Sequence, residues 1–274
     1  LSLTLVTGAG GYIGAALLGE LTKAGVPVVG LSRQEGCGLD VLKGDFASPE
    51  DLRVLDGLEI GRVCHLAAVT GGCSEEDGLR VNVLGTRSLM RYLVDRGCRK
   101  FVLASSIAAV GVADSDFSPQ AVPIPDEHPC LARDAYGLSK YLMEEMSRYF
   151  ERAHNDLEIT ALRLCSIFPS PELPPKVSSV ERPASYALAS ITKMALADAV
   201  AAFRLALDTD LGAGFRIFNA GPQKAWTDVP VADLLRPWLD GRASTLYYQD
   251  GPHAFDSVFD VSAIAGKLGF VASV

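Results

Sequence analysis

The 274-residue chain lacks any apolar run of the ~20 residues that a membrane-spanning helix requires, so no membrane partner is expected. It also lacks an excess of positive charge. Lys and Arg number 25 against 33 Asp and Glu, a formal charge of −8. Nucleic acid and anionic membranes both reward a basic face, so neither is expected as the main partner. The six cysteines (Cys37, Cys64, Cys73, Cys98, Cys130 and Cys165) form no C-x-x-C and no zinc spacing. No metal is expected; reduced, mostly buried thiols in a cytoplasmic protein are. The opening "LSLTLVTGAGGYIG" has no basic leader and no cleavage-site pattern, and reads as mature protein. Neither an internal repeat nor a low-complexity segment is found.

What is present is an alternation of short apolar runs and helical patterns. "LTLVTG" reads as a strand and Tyr12 to Ala24 as a helix. "PVVGLSR" and "RVCHLAAVT" follow as strands, Glu75 to Arg96 as a helix, and "KFVLASS" as a strand. A helix then begins near Ala135, and "ITALRLCSIF" reads as one further strand. Strands separated by helices of this length predict an α/β fold, a parallel sheet with right-handed crossovers and both faces covered. Beyond it, "PSPELPPKVSSVERP" (Pro169 to Pro183) carries five prolines and holds neither a helix nor an inner strand. A loop of that length is functional or disordered, and a lid over a cleft is the sharper reading. A helix near Leu196 to Leu207, a strand "FRIFNAG", a helix near Pro230 to Leu239 and a short tail complete the chain.

The glycines of "VTGAGGYIG" lie between the first strand and the first helix. Gly8, Gly11 and Gly14 fall where a tight turn, close approach of a pyrophosphate and helix–strand packing each exclude a side chain. The exposed N–H groups and the helix dipole then favour a phosphate. The context favours dinucleotide binding; a purely structural turn is the alternative. The second strand ends "GLSRQEG", with Ser32 and Arg33 and no carboxylate until Glu35. An acidic residue there holds the ribose of NAD, whereas an arginine accommodates the 2′-phosphate of NADP, so NADP is favoured over NAD. Arg33 as an ordinary surface charge is the competing reading.

Further along, "DAYGLSK" places Tyr136 four residues before Lys140. Residues so spaced share a helix face and can point into one cleft. A free phenol has a pKa of about 10, so an ammonium beside it favours the phenolate needed to take a proton from a hydroxyl. Lowering that pKa by about three units takes roughly 4 kcal/mol of differential stabilisation. Taken alone, the spacing is also that of a half-buried tyrosine beside a solvated lysine.

The motifs "TGAGGYIG", "GDFASPEDL", "HLAAVT", "VNVLGT", "ASSIAAVG" and "YGLSK" resemble, in order and spacing, those of the extended short-chain dehydrogenase/reductases, the NAD-dependent epimerase/dehydratase family. The likeness covers residues 1–170 and continues weakly through "FNAG" and "KLGF". It implies a Rossmann-type, doubly wound parallel sheet. Residues 1–165 would be an NAD(P)-binding domain carrying the catalytic groups. Residues 166–274 would be a small, shortened substrate-binding lobe interleaved with the last strands. The resemblance assigns catalysis to Ser106, Tyr136 and Lys140, with Ser105 the alternative serine. It places Gly8, Gly11, Tyr12, Ile13, Gly14, Ser32 and Arg33 around the cofactor. Asp45 and Phe46 would sit by the adenine, Leu66, Ala67 and Ala68 would line the ribose and diphosphate path, and Asn82 would stand behind the site. Tyr136 and Lys140 would also touch the cofactor. Thr70, Ser106 and Ser166 are the substrate candidates.

Relatives that dehydrate carry Thr-Asp-Glu at the serine position; here Ile107 and Ala108 follow Ser106 and transfer no protons. Sugar-nucleotide epimerases hold the diphosphate with an asparagine and an arginine, where this chain has Ser166 and Ile191. Lys176, Arg182 and Lys193 remain as anion-binding candidates or plain surface charges. The trimmed lobe resembles that of uronate and tetronate dehydrogenases. The expectation is therefore an NAD(P)-dependent dehydrogenase of a small sugar acid or related carbohydrate. A sugar or nucleotide-sugar epimerase is the alternative, and a cofactor-sensing regulator a third. In relatives, helices matching Glu75 to Arg96 and Tyr136 to Ala153 form a homodimer interface. Leu89, Met90, Leu142 and Met146 are the candidates there, or plain core.

Overall fold

The apolar runs become the inner strands of a seven-stranded sheet. The structure, a computed structural model, describes residues 2–38, 40–169, 174–178, 187–239 and 243–273. The strands are β1 (Leu3–Thr7), β2 (Val28–Ser32), β3 (Val41–Lys43), β4 (Ile60–His65), β5 (Lys100–Ser106), β6 (Glu158–Leu164), β7 (Ser166–Phe168), β8 (Lys193–Ala195) and β9 (Gly214–Ala220). The main sheet runs β3-β2-β1-β4-β5-β6-β9, with every neighbouring pair parallel. The order reverses at β1, so the crossovers leave from both sides and helices cover both faces, the doubly wound arrangement.

Side-chain alternation divides the core in two. Val6, Cys64, Val102, Ala104 and Leu162 face a cluster under α1 (Tyr12–Lys23) and a later helix (Leu196–Asp208). Leu5, Val63, Phe101, Leu103 and Ile159 face the opposite cluster, under residues 75–94 and 135–153. Strands buried on both faces must be apolar at consecutive positions, and for that reason these read as unbroken runs in the sequence.

We call residues 75–94 α2. It is one helical run with a π-helical middle, Gly78–Gly85, between Glu75–Asp77 and Thr86–Val94. Next comes α3 (Ala135–Ala153), capped by Asp134 Oδ1 accepting from the Gly137 N–H at 2.8 Å. The later helices are α4 (Leu196–Asp208), α5 (Val231–Leu239) and α6 (Ser262–Leu268).

One expected strand divides. "ITALRLCSIF" leaves the main sheet at Cys165, whose N–H still donates to Ala220 O at 3.2 Å. The next N–H, of Ser166, donates to Thr192 O at 3.1 Å, and β7 pairs with β8 in a separate two-stranded sheet. The change of partner turns the chain out of the sheet beside the functional residues. The proline-rich segment lies largely outside the described residues; of it, Pro174 O accepts from Trp226 Nε1 at 2.9 Å and Val177 bridges to Thr227. Among the described residues no helix is long and apolar enough to cross a membrane, and no cluster of His, Cys, Asp and Glu is arranged to hold a metal. All six cysteines are free; Cys64, Cys98 and Cys165 are buried and the other three half-buried, fewer than the expected majority.

Candidate active site

The turn after β1 is built for an occupant that needs bare backbone. Gly8 has φ +70°, and a Cβ there would lie 2.8 Å from Ala67 N. A Cβ on Gly14 would lie 2.1 Å from Gly8 O, so α1 closes on the turn only with glycine at that position. Gly11 N-caps α1 without a side chain, leaving the helix N-terminus open. This cradle forms one end of a cavity of about 480 Å³ along the carboxyl ends of the strands, at the topological switch point. Tyr12, Ile13, Ser32, Arg33, Phe46, Leu66, Ala67, Ala68 and Thr70 all border it. A dinucleotide fits this shape: phosphates at the glycine turn and a flat ring beyond. The turn itself is held from behind. Thr7 Oγ1 accepts from Ala67 N at 3.3 Å and meets His65 Nδ1 at 2.6 Å, and His65 Nε2 reaches Thr86 Oγ1 at 2.9 Å.

At the far end stand Ser106, Tyr136 and Lys140, which line the same cavity. Ser106 ends β5, and its hydroxyl accepts from Ala108 N at 3.1 Å, starting a 3₁₀ turn. Tyr136 and Lys140 come from the first two turns of α3. That helix packs on the 3₁₀ turn through Gly137, where a Cβ would lie 2.5 Å from Ala108 O. Lys140 is 3% exposed, its Nζ donates to Ala104 O at 2.7 Å, and it sits 5.7 Å from the centroid of the Tyr136 ring. Ser106 and Tyr136 also line a second, smaller cavity of about 230 Å³, with Ser166, Asp134, Val112 and Leu164. The two hydroxyls thus stand where the cavities meet.

Ser105, the alternative serine, points away from this junction. Its hydroxyl donates to Glu144 Oε1 at 2.5 Å, and Glu144 is itself held by Arg163 through Nε (2.9 Å) and Nη2 (2.8 Å). Strand alternation sends adjacent side chains to opposite faces, which separates the two serines.

The electrostatics differ from what the Tyr-Lys spacing suggests. Burial pushes the Tyr136 phenol up to about 12, against a smaller opposite pull from its hydrogen bond with Ser106. Burial also brings the Lys140 ammonium down to about 8, while Glu144 pulls it back up. In the protein by itself, desolvation of the phenol outweighs every group that favours its ionised form, and Tyr136 stays protonated. Buried His65 is driven down to about 3 by desolvation and then by Lys140, so it is a neutral ring.

Two residues expected beside the cofactor, Asn82 and Asp45, border neither cavity. Asn82 is buried and borders neither cavity; its amide pins Val69 through both N–H and C=O and donates to Ser139 Oγ, each at 2.9 Å. The Asp45 carboxylate accepts from Ala47 N at 2.9 Å, shaping the turn that presents Phe46 rather than bordering the cavity. Ser166, a substrate candidate, borders the smaller cavity, and its hydroxyl donates to Ala189 O at 3.0 Å. Of the anion candidates, Lys176 pairs with Asp228 at 3.6 Å and lies over Trp226, Lys193 is on β8, and Arg182 is outside the described residues. Sequence reasoning missed the Thr7–His65–Thr86 and Ser105–Glu144–Arg163 clusters. In each, three residues far apart in the chain meet only through the sheet; the lone signal was polar residues inside apolar runs.

With that geometry in view, the likeness to known proteins is specific. UDP-glucose 4-epimerase of Azospirillum brasilense is 32% identical over 162 residues, covering 55% of this chain and 45% of that protein. The UDP-glucose 4-epimerase of Bacillus subtilis is 28% identical over 183 residues, covering 60% and 52%. The chain spans about half the length of the curated relatives it matches. A short-chain dehydrogenase/reductase superfamily protein from Agrobacterium tumefaciens, solved with bound NAD, superposes with TM-score 0.73 at 23% identity, covering 99% of this chain and 93% of that one. UDP-glucose 4-epimerase from Thermotoga maritima, solved with UDP-glucose, gives TM-score 0.69 at 19% identity over 99% and 94%. These structures establish a shared fold. The family model for the NAD dependent epimerase/dehydratase family matches residues 4–204, from β1 through α4 and so across both cavities. Glycine cradle, serine strand and Tyr-Lys helix all fall within that match, and the chain belongs to the NAD dependent epimerase/dehydratase family.

Proposed function

We propose that the chain is an NAD(P)-dependent oxidoreductase that moves hydride between a nicotinamide cofactor and a hydroxyl or keto carbon of a small sugar acid or related carbohydrate. The observation that carries this reading is the junction of the cavities, where Ser106 and Tyr136 border both. The nicotinamide, when bound, is the hydride acceptor or donor. Ser106 would hold the substrate oxygen, and Tyr136 would take the hydroxyl proton as the carbon loses hydride, or return it in the reverse direction. Lys140 would place positive charge behind the phenol. The smaller cavity, about 230 Å³, would take the substrate. The test is a screen of sugar acids, polyols and nucleotide sugars with both cofactors, read at the reduced-nicotinamide absorbance; no turnover with any of them would sink the reading.

A sugar or nucleotide-sugar epimerase is the second reading, favoured by the names of the curated relatives. Epimerisation leaves no net change in cofactor over a cycle, so the same absorbance separates the two. NADP is the favoured cofactor within either reading. Arg33 is exposed at the cavity edge and makes no ion pair among the described residues. The Glu35 carboxylate, the nearest acidic competitor, is taken by Lys43. Dissociation constants for NADP and NAD before and after Arg33→Ala test this; the variant should lose affinity for NADP alone, by about tenfold, the scale of one charge-assisted phosphate contact.

A further inference from the structure

The smaller cavity, where the proposed reaction places its substrate, has the wrong charge for holding an acid. Among the described residues no lysine, arginine or histidine borders it. Its one carboxylate is that of Asp134, the residue that caps α3. The cations of the neighbourhood are placed elsewhere. Arg133, next in the chain, has a side chain 71% exposed and pairs with Asp114 at 3.5 Å. Lys140 borders the larger cavity alone and donates to Ala104 O. Lys193 borders neither cavity, and Lys176 pairs with Asp228.

The polar side chains around the smaller cavity are equally one-sided. An ionised carboxylate only accepts hydrogen bonds. Asp134 Oδ1 accepts from Gly137 N at 2.8 Å, and Oδ2 is buried with no hydrogen-bond partner among the described residues. The Ser166 hydroxyl directs its proton to Ala189 O at 3.0 Å, so toward a ligand it can only accept. The Cys165 thiol is turned to Ser166 O at 3.9 Å. Ser106 and Tyr136 serve the reacting oxygen in the reading above. What remains for the rest of a substrate is a set of side-chain acceptors beside a negative charge. A hydroxyl donates its proton to such a set. A second carboxylate brings acceptors to acceptors and like charge to like charge.

We propose that Asp134 is a specificity-determining residue of the substrate cavity, and that it selects a neutral, hydroxyl-bearing carbohydrate over a sugar acid. The proposal rests on the oxidoreductase reading for the place of the substrate, and narrows the compounds named there to one class.

The experiment is calorimetric titration of matched sets, each an aldose, its polyol and its aldonic acid with the same carbons and configuration. They are titrated into the native protein and Asp134→Asn, with NAD or NADP at saturation. Asparagine caps a helix about as well as aspartate, so the variant keeps the start of α3 and removes the charge. The native protein should bind the neutral members of at least one set about tenfold tighter than the acid, or better, the scale of one unpaired polar contact. In Asp134→Asn the gap should close to within about threefold. Should Asp134→Asn not fold, Asp134→Ser also caps the helix and takes its place, with the same closure expected. An ammonium would satisfy the same carboxylate, so the amino sugar is the fourth member of each set. An amino sugar bound more tightly than the neutral one would overturn the class named here. So would an acid bound as tightly as its neutral counterpart, a gap that survives in the variant, or no binding by any compound. Binding needs no turnover, so the oxidoreductase reading fails separately, when a compound that binds leaves the nicotinamide absorbance unchanged.

Discussion

The tyrosine that would have to lose its proton near neutrality in the proposed reaction sits in a place that makes losing it harder. Burial raises Tyr136 to about 12, so bringing it to ~7 needs about 7 kcal/mol of differential stabilisation, more than the roughly 4 kcal/mol that a solvated phenol would need. The pull of Ser106 is already contained in that value, so this stabilisation would come from the positive ring of an oxidised cofactor and from the substrate hydroxyl. The phenol would thus be activated only in the loaded site. Tyr136→Phe should lower kcat by about 10²–10⁴, the range for a lost general acid–base group, with cofactor affinity within about threefold of native. A variant that keeps more than a tenth of its turnover would remove Tyr136 from this role. His65 gives a prediction of a different kind, on stability. Its folded value, about 3, lies below the ordinary 6.5. Between those values the unfolded chain binds a proton that the folded one refuses, so stability rises with pH across the window and is lost as pH falls. From pH 7 to 4.5 this one group should contribute a loss of about 2.5 kcal/mol. His65→Asn lacks the titration. The native-minus-variant difference in urea stability should shrink by that amount between the two pH values, and a difference independent of pH would contradict the buried neutral ring.

At the level of the element, the decisive contact is α3 against the 3₁₀ turn after β5. A Cβ on Gly137 would sit 2.5 Å from the backbone oxygen of Ala108, and backbone cannot swing aside as a side chain can. Gly137→Ala should push the start of α3 outward, parting Tyr136 from Ser106. The expected result is a stability loss of about 1–3 kcal/mol, typical of overpacking, with a fall in kcat larger than the change in cofactor KM. Equal kcat in the two proteins would show that the helix start is not what sets the spacing. The glycine of "YGLSK" was legible as part of a motif, but its partner Ala108 was not, since contact across a helix and a turn leaves no periodic trace. The glycine cradle was more open to reading, because strand, turn and helix are consecutive in the chain. "ITALRLCSIF" shows the converse: its apolar pattern continues through Cys165 while the hydrogen-bond partner changes from Ala220 to Thr192. Hydrophobic spacing reports which residues are covered, not which strand covers them. Desolvation is equally invisible along a sequence, which is why the spacing of Tyr136 and Lys140 suggested a lowered phenol and the folded site raises it.

For the whole molecule, the question is whether α2 and α3 face solvent or a second copy. Leu89 and Met90 do not bear on it: both are fully buried between α2 and the sheet, and belong to the core of the single chain. Met146 also packs on that core. The same helices nevertheless carry apolar side chains outward, Leu84 at 60% and Tyr149 at 52% exposed, with Leu79 and Leu138 partly so. A stable dimer needs about 800 Å² from each partner, and at about 25 cal/mol per Å² of apolar surface a few such side chains supply much of the gain. We propose a homodimer through these faces. Sedimentation at micromolar concentration should give twice the mass of the 29.1 kDa chain, and Leu84→Glu with Tyr149→Glu should return it to a monomer without loss of the folded core. Because α2 carries Asn82 and α3 carries Tyr136 and Lys140, the monomer should also show lower kcat than the dimer. A native protein that sediments as a monomer at that concentration would refute the interface; a dimer indifferent to both substitutions would place it on another face.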